Sequence, residues 1–249
     1  MKFTRPAFLA PSHPPAYPIC PWERTEVGLG IDTGVLGTAF FVSEMGLFLT
    51  AAHVVEEYLA EPTPLRILYV DIPAQKLMPV KPDLLAVHPV LDVAIGLAGV
   101  PDALTLQRFV LGDGEMAPGD RVLSFGFSHT DATDLECDRP GALPGLSLEM
   151  WPAFHEGAVD GFYPDGFGLA KGQPVYVHSA ETLGALSGGP VLSGKDGLVY
   201  GVTCSGCEEY GTATDLRAIL DWPIPFLEGK TLRNLAAGGL VSLRPPSAT

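Results

Sequence analysis

The sequence has few basic residues, few cysteines and no long apolar run. Of its 249 residues, 15 are Lys or Arg and 29 are Asp or Glu, which gives a formal net charge of −14. That charge repels a phosphate backbone and argues against nucleic-acid binding. No stretch of about 18 uninterrupted apolar residues is present, so we expect no association with the membrane through a spanning helix. The N-terminal segment lacks the apolar core of a secretory signal, which predicts a cytoplasmic protein.

The four cysteines are too few for a scaffold built on disulfides. Cys204 and Cys207 form a single C-x-x-C pair. A structural zinc site needs a second pair of ligands at similar spacing, and a thioredoxin-like site needs a βαβ unit. Neither pattern is present, so we expect reduced, structural thiols, no bound metal and no other cofactor.

Apolar residues and turn residues are abundant. The chain is 47% hydrophobic, which is ample for a sizeable core. Its 29 Gly and 24 Pro follow no repeat, a composition that favours many short strands joined by tight turns. Helical patterns are confined to a turn after Ala52 and to residues 215–220 and 230–237. The sequence therefore predicts an all-β chain with a short helical tail.

The strand candidates are bounded in most cases by Gly, Pro or Asp. They cover residues 36–43, 47–50, 65–70, 76–87, 93–97, 121–127, 174–179, 190–193, 198–204 and 211–213. Residues 128–170 have no assignable pattern. Turn residues cluster around residues 100–118, as expected between two β-units. We divide the chain into a Pro-rich N-terminal arm (1–30), a first β-unit (31–112), a second β-unit (113–225) and a helical tail (226–249).

Three short segments contain residues suited to catalysis. His53 follows a strand and two alanines, Asp92 opens an otherwise apolar strand, and Ser187 precedes two glycines and a proline. Each segment alone has an ordinary structural explanation. His53 could be a core or surface histidine with satisfied hydrogen bonds, Asp92 an aspartate in a turn, and the residues around Ser187 a tight turn. Together they have the order His, Asp, Ser, in the local settings that acyl transfer requires. In that arrangement His53 can take the proton of Ser187 Oγ, and Asp92 can fix the tautomer of the imidazole.

The three segments together resemble the signatures of the trypsin-like (chymotrypsin-fold) serine peptidases, which are T-A-A-H, D-[IV]-A-[LI] and G-x-S-G-G-P. The resemblance extends over about residues 34–220. It implies two six-stranded antiparallel β-barrels, with His53 and Asp92 in the first barrel and Ser187 in the second. It also implies a serine endopeptidase that acts on proteins or peptides through an acyl-enzyme.

The resemblance assigns further residues to substrate binding. The backbone N–H groups of Ala185 and Ser187 would form the oxyanion hole. Thr203, Cys204 and Ser205 would pair with the substrate backbone, and Glu181, six residues before the serine, would lie with Thr182 at the base of the primary specificity pocket. A carboxylate there would attract Arg or Lys. The alternative for Glu181 is a solvent-facing position at a strand end.

The sequence departs from the family pattern at Ala185, where the family has glycine. Alanine disfavours the positive φ that glycine adopts freely, which predicts an oxyanion hole that is distorted at rest. An activation sequence and the disulfides of secreted members are also missing, as expected for a bacterial, intracellular-type member. Regulation in trans by a partner protein is a further hypothesis.

Two other functions are alternatives to an active peptidase. A catalytically impaired relative could bind peptides or partner proteins through the same groove, and Ala185 is the only feature of the sequence in its favour. A hydrolase of small esters would normally bring an α/β fold with its serine on a strand-to-helix turn, and this pattern is absent.

Overall fold

The computed structural model describes residues 16–25, 28–31, 34–60, 65–71, 76–99, 106–135 and 145–245. Strands dominate these ranges, and the helices are short. The helices are α1 (Ala52–Ala60), α2 (Arg217–Leu220), a 3₁₀ turn (Pro225–Leu227) and α3 (Leu232–Ala237). The turn predicted after Ala52 is thus a helix, and the helices predicted within residues 215–220 and 230–237 are present as α2 and α3.

The first sheet is built from the N-terminal strands and curls into a nearly closed barrel. Its strands lie side by side in the order β6-β5-β1-β3-β4-β8-β7, and β2 pairs with β1 outside this order. Every pair is antiparallel. Only Lys81 separates β6 from β7, so the two ends of this order are consecutive in the chain. The strands are β1 (Ala16–Thr25), β2 (Gly28–Ile31), β3 (Gly37–Phe41), β4 (Leu47–Thr50), β5 (Leu65–Asp71), β6 (Lys76–Val80), β7 (Pro82–Val87) and β8 (Ala94–Ala98).

Strand β1 lies inside this sheet, between β3 and β5, where the sequence predicted an arm over residues 1–30. Pro18 and Pro21 explain why the pattern was misleading, because a proline cannot donate a ladder hydrogen bond and argues against a central strand. The partners of β1 also lie far along the chain. Residues 1–15 are outside the described residues, and the predicted domain boundaries stay a prediction.

The second sheet closes into a six-stranded antiparallel barrel. The order is β15-β10-β11-β14-β17-β16, and β15 pairs again with β16; β9 and β18 extend the sheet beyond β16. A separate pair of short strands, β12 and β13, precedes β14. The strands are β9 (Leu111–Gly112), β10 (Arg121–Leu135), β11 (Gly145–Tyr163), β12 (Gly166–Phe167), β13 (Ala170–Lys171), β14 (Val175–His178), β15 (Pro190–Ser193), β16 (Val199–Gly206), β17 (Gly211–Asp215) and β18 (Leu243–Arg244).

Strands that are buried on both faces join the two barrels. In β3, Ala39 and Phe41 belong to the core of the first barrel, whereas Phe40 belongs to a core that also contains Phe125 and Val202 of the second barrel. Successive residues of a strand face opposite sides, so a continuous apolar run can fill two cores. The predicted all-β fold of two barrels with a short C-terminal helix is confirmed, and the catalytic candidates lie where the barrels meet.

Candidate active site

His53 lies at the start of helix α1, immediately after strand β4. The chain turns there because Thr50 ends the strand, with its hydroxyl donating to the carbonyl of Thr38 at 2.8 Å, and the small Ala51 and Ala52 are buried behind it. The imidazole remains 48% exposed on its side chain. The first barrel therefore presents His53 at its surface from a buried strand end.

Asp92 holds His53 by two contacts. It lies in the turn between β7 and β8, and its Oδ1 accepts the backbone N–H of His53 at 3.0 Å while its Oδ2 is 2.8 Å from His53 Nδ1. An ionised carboxylate can only accept, so Nδ1 carries the hydrogen of this bond. The neutral ring then has its lone pair on Nε2, on the opposite side from Asp92. This tautomer is the one that a general base requires.

The charge around His53 favours the protonated ring. The side-chain hydrogen bond to Asp92 raises the pKa of His53 above its ordinary value of 6.5, partial burial opposes this, and the negative charges of Asp92 and Glu56 add to it. Glu56 lies one helical turn after His53 in α1. The local field therefore stabilises an imidazolium, which is the species formed when a base takes a proton.

Gln173 supports Asp92 from the second barrel, and no sequence pattern indicates this role. The side chain is buried, and its Oε1 accepts both the backbone N–H of Asp92 at 2.7 Å and the hydroxyl of Thr214 at 3.3 Å. A glutamine in a loop between short strands has no distinctive pattern, and its partner lies 81 residues away.

Residues 184–189, which we call the serine loop, pack directly on the first barrel. The N–H of Thr38 donates to the carbonyl of Ser187 at 2.8 Å. Gly188 has φ of +84°, and a Cβ at this position would collide with Thr50 Oγ1 and with the carbonyl of Thr38. Only glycine permits this approach, so Gly188 brings the serine against the strand that leads into His53.

Ala185 adopts the left-handed conformation that we expected alanine to resist, with φ of +67°. That conformation costs an L-residue about 1–2 kcal/mol. The carbonyl of Ala185 accepts a hydrogen bond from the hydroxyl of Thr38 at 3.0 Å, and such a bond contributes about 0.5–1.5 kcal/mol. The two effects are of similar size. The N–H groups of Ala185 and Ser187 have no acceptor among the described residues, so both remain available to a ligand.

One cavity of about 610 Å³ contains the three catalytic candidates. His53, Asp92 and Ser187 all line it, together with Glu56 and Gln173. Ser187 Oγ makes no hydrogen bond to His53 or to any other described residue, and such contacts are often loose before substrate binds. The volume is within the usual range for ligand sites.

Most of the chain matches the sequence profile of one known protein family. The profile of the trypsin-like peptidase domain matches residues 37–202, which include all three candidates. The chain belongs to the trypsin-like peptidase family. A protease of this kind acts on protein or peptide substrates.

Solved structures share the fold of this trypsin-like peptidase. Deg5 is similar with a TM-score of 0.59 and 17% identity, over 86% of this chain and 89% of that protein. The protease domain of MamO from Magnetospirillum magneticum, in its apo form, is similar with a TM-score of 0.57 and 16% identity, over 84% and 95%. A search of curated proteins finds no significant match.

Of the two residues assigned to the primary pocket of the peptidase, only one lies at the cavity. Thr182 lines the cavity, whereas Glu181 does not. The Glu181 carboxylate instead pairs with His155, at 3.1 Å from Nδ1. Glu181 therefore contributes no carboxylate to this cavity, and the expected preference for Arg or Lys stays a prediction.

The three residues predicted to pair with the substrate backbone also lie in different surroundings. Cys204 and Ser205 line the cavity. Thr203 is fully buried, and its backbone bonds to the serine loop, because its carbonyl accepts from Gly188 N and its N–H donates to Gly189 O. Thr203 therefore anchors the serine loop through its backbone, and its predicted contact with the substrate backbone stays a prediction.

Cys204 of this peptidase is the extra residue of a β-bulge between β16 and β17. Its thiol bonds to the Thr212 hydroxyl at 3.2 Å, and burial raises its pKa above the ordinary value. Cys207 is exposed and forms no disulfide with Cys204. The reduced state of the thiols stays a prediction, and Cys137 lies outside the described residues.

Among the residues that the structure describes, no three His, Cys, Asp or Glu side chains are grouped so as to hold a metal ion. Within the same ranges, no helix has the length and apolar character to cross a membrane.

Proposed function

We propose that this peptidase is a serine endopeptidase in which Ser187 is the nucleophile, His53 the general base and Asp92 the residue that orients it. One observation carries the proposal. Asp92 fixes His53 by two contacts, of 3.0 and 2.8 Å, in a cavity that Ser187 also lines. Titratable groups that are perturbed by a specific partner within a cleft are typical of catalytic sites.

In the first step, His53 Nε2 takes the proton of Ser187 Oγ as the oxygen attacks the carbonyl carbon of the scissile bond. The carbonyl π electrons move to oxygen and give a tetrahedral oxyanion. Asp92 stabilises the imidazolium through Nδ1–H, consistent with the raised pKa of His53. The unpartnered N–H groups of Ala185 and Ser187 donate to the oxyanion.

The intermediate then collapses, the carbon–nitrogen bond breaks, and His53 gives its proton to the departing amine. This leaves an ester between Ser187 and the acyl half of the substrate. A water molecule repeats the sequence, with His53 again acting as base, and releases the carboxylic acid and free Ser187. No oxidant, metal or further reactant is needed.

The substrate backbone would bind along the end of β16. This strand pairs with β15 only as far as Val202, and from Thr203 to Gly206 it pairs with β17 alone among the described strands. Cys204, Ser205 and Gly206 line the cavity from that unpaired edge. An extended peptide added there would gain main-chain hydrogen bonds and lie across Ser187.

Hydrolysis of a fluorescently labelled, denatured protein tests the proposal. Ser187→Ala should lower kcat by on the order of 10⁶-fold. The circular dichroism spectrum should stay unchanged, because the Ser187 side chain is small, lines the cavity and makes no hydrogen bond to a described residue. Ser179→Ala is the matched control, since Ser179 is exposed and does not line the cavity. Hydrolysis by Ser187→Ala at a tenth of the wild-type rate would show that the serine assignment is wrong.

The same assay addresses the second candidate, a catalytically impaired module that binds peptides. The missing hydrogen bond between Ser187 and His53 is the observation in its favour. A wild-type protein that binds the denatured substrate without cleaving it would support this function over the first.

A further inference from the structure

Thr38 contributes a buried hydroxyl from the first barrel to the serine loop of the second. Its side chain is fully buried, and its Oγ1 lies 3.0 Å from the carbonyl oxygen of Ala185 and 3.1 Å from the backbone nitrogen of Phe127. Phe127 belongs to β10. A single side chain therefore connects β3, β10 and the loop that contains Ser187.

The direction of these two hydrogen bonds is fixed by chemistry. The amide of Phe127 can only donate, and the carbonyl of Ala185 can only accept. The hydroxyl of Thr38 must therefore accept from Phe127 and donate to Ala185. With one lone pair accepting from Phe127 N–H, the hydroxyl directs its hydrogen to the carbonyl oxygen within reach, that of Ala185.

This bond determines the peptide plane that follows Ala185. The carbonyl of Ala185 is held toward the first barrel, and φ of +67° then sets the direction of the N–H of the same residue. A carbonyl held in this direction also restrains ψ of Ala185, and the favoured regions at negative φ require a different ψ. Relaxation of alanine to negative φ would therefore turn its carbonyl away from Thr38, and it would turn the Ala185 N–H away from the oxyanion.

We propose that the Thr38 hydroxyl is a positioning group that keeps the oxyanion hole formed although alanine stands at position 185. The inference rests on the proposed function, because it assigns the N–H of Ala185 to the developing oxyanion. Thr38 acts through Ala185 and touches no reacting atom. The hole is thereby pre-formed in the free protein.

The hydroxyl can be separated from the other contacts of Thr38. Its backbone N–H bonds to the carbonyl of Ser187, and its carbonyl accepts from the hydroxyl of Thr50; valine or serine at position 38 retains both groups. Thr38→Val keeps the shape and the β-branched side chain and removes only the hydroxyl. Thr38→Ser removes the methyl group and keeps the hydroxyl.

The first test measures kcat and KM of these variants against a fluorogenic peptide that the wild type cleaves. Loss of one oxyanion donor costs about 10²–10³-fold in kcat, so a partly misdirected donor in Thr38→Val should cost about 10–100-fold in kcat with little change in KM. Thr38→Ser should remain within about threefold of wild type. Equal kcat values for the valine variant and wild type would overturn the inference.

A control separates this role from general destabilisation. Ser43 is also buried in the first barrel, and its hydroxyl accepts the backbone N–H of Leu47 at 3.1 Å, far in sequence from the serine loop. Ser43→Ala should lower the thermal midpoint and leave kcat unchanged. If Ser43→Ala and Thr38→Val lower kcat equally, the effect of Thr38 is merely structural.

A double-mutant cycle tests the route through Ala185 directly. Glycine adopts positive φ without strain, so the fall in kcat caused by Thr38→Val should shrink to less than about threefold when Ala185→Gly is already present. Purely additive effects would contradict the inference. A wild-type protein that neither cleaves peptides nor reacts with a fluorophosphonate would instead overturn the proposed function itself, which distinguishes the two failures.

Discussion

At the scale of single residues, the carboxylates near His53 decide the pH range in which it can act as a base. The hydrogen bond to Asp92 raises the pKa of His53, and the charge of Glu56 raises it further. In the proposed mechanism, only the neutral ring takes the proton of Ser187. We therefore expect the acidic limb of the pH profile of kcat/KM to lie above the ordinary histidine value of 6.5.

Glu56→Gln should shift that limb to lower pH, because removal of a nearby negative charge makes the imidazolium easier to deprotonate. At a pH on this acidic limb, kcat/KM of Glu56→Gln should consequently be higher than that of the wild type. The shift should shrink at high ionic strength, since Glu56 is exposed and its charge is screened. The measurement is kcat/KM from pH 5 to pH 9 at two salt concentrations.

Glu181→Gln is the control for this experiment, because Glu181 pairs with His155 and does not line the cavity. Its pH profile should coincide with that of the wild type. A limb that does not move in Glu56→Gln would show that the Glu56 charge is fully screened from His53.

At the scale of secondary-structure elements, strand β14 contains a histidine whose ring nitrogens have no hydrogen-bond partner in the part of the chain that the structure describes. His178 is fully buried, and neither ring nitrogen makes a hydrogen bond within the described residues. Burial lowers its pKa to about 4, although the nearby carbonyl of Ala180 and the charge of Asp160 act in the opposite direction. The strand therefore contains a neutral imidazole at neutral pH.

This histidine should make the fold sensitive to acid. In the unfolded chain its pKa is near 6.5, so below that pH the unfolded state binds a proton that the folded state does not. Its contribution to stability is complete above pH 6.5 and is lost as the pH falls toward 4. Between pH 7 and pH 4.5 the loss amounts to roughly 2–3 kcal/mol.

His178→Leu removes this proton uptake. Urea unfolding at pH 7 and pH 4.5 should show that the free energy of unfolding falls less in the variant than in the wild type, by roughly 2–3 kcal/mol. Equal decreases in the two proteins would mean that His178 is protonated in the folded state as well.

The strand pattern could be predicted from the sequence where it is local. Of the ten predicted strands, β4 and β15 have the predicted limits, and six others differ by at most two residues at either end. The long hairpin of β10 and β11 was missed, because residues 128–170 are rich in turn-forming types and its strands are stabilised by each other. Long-range pairing of this kind leaves no periodicity in either segment.

The candidate site could be predicted in part for a similar reason. His53, Asp92 and Ser187 stand in short distinctive motifs, and the structure brings them to one cavity. Thr38 and Gln173 were missed, since each acts through a partner more than 80 residues away. The motif likewise does not reveal that the backbone of Thr203 bonds to the serine loop, because this contact is made only in the fold.

At the scale of the whole molecule, hydrogen bonds between the barrels converge on the site. Thr38 of the first barrel bonds to the serine loop, and Gln173, which precedes β14 of the second barrel, bonds to Asp92. The relative position of His53 and Ser187 therefore depends on how the barrels pack. A net charge of −14 suits a basic partner or simply solubility. Regulation by such a partner, and a cytoplasmic location, stay predictions.

The most direct measurement for the central claim is covalent labelling with a fluorophosphonate, followed by peptide mass spectrometry. A fluorophosphonate reacts with a serine oxygen that an adjacent base has activated and whose oxyanion is stabilised. The account predicts one adduct on Ser187, no adduct in Ser187→Ala and labelling slowed by orders of magnitude in His53→Ala. Absence of an adduct on wild-type Ser187, or equal labelling rates in wild type and His53→Ala, would contradict it.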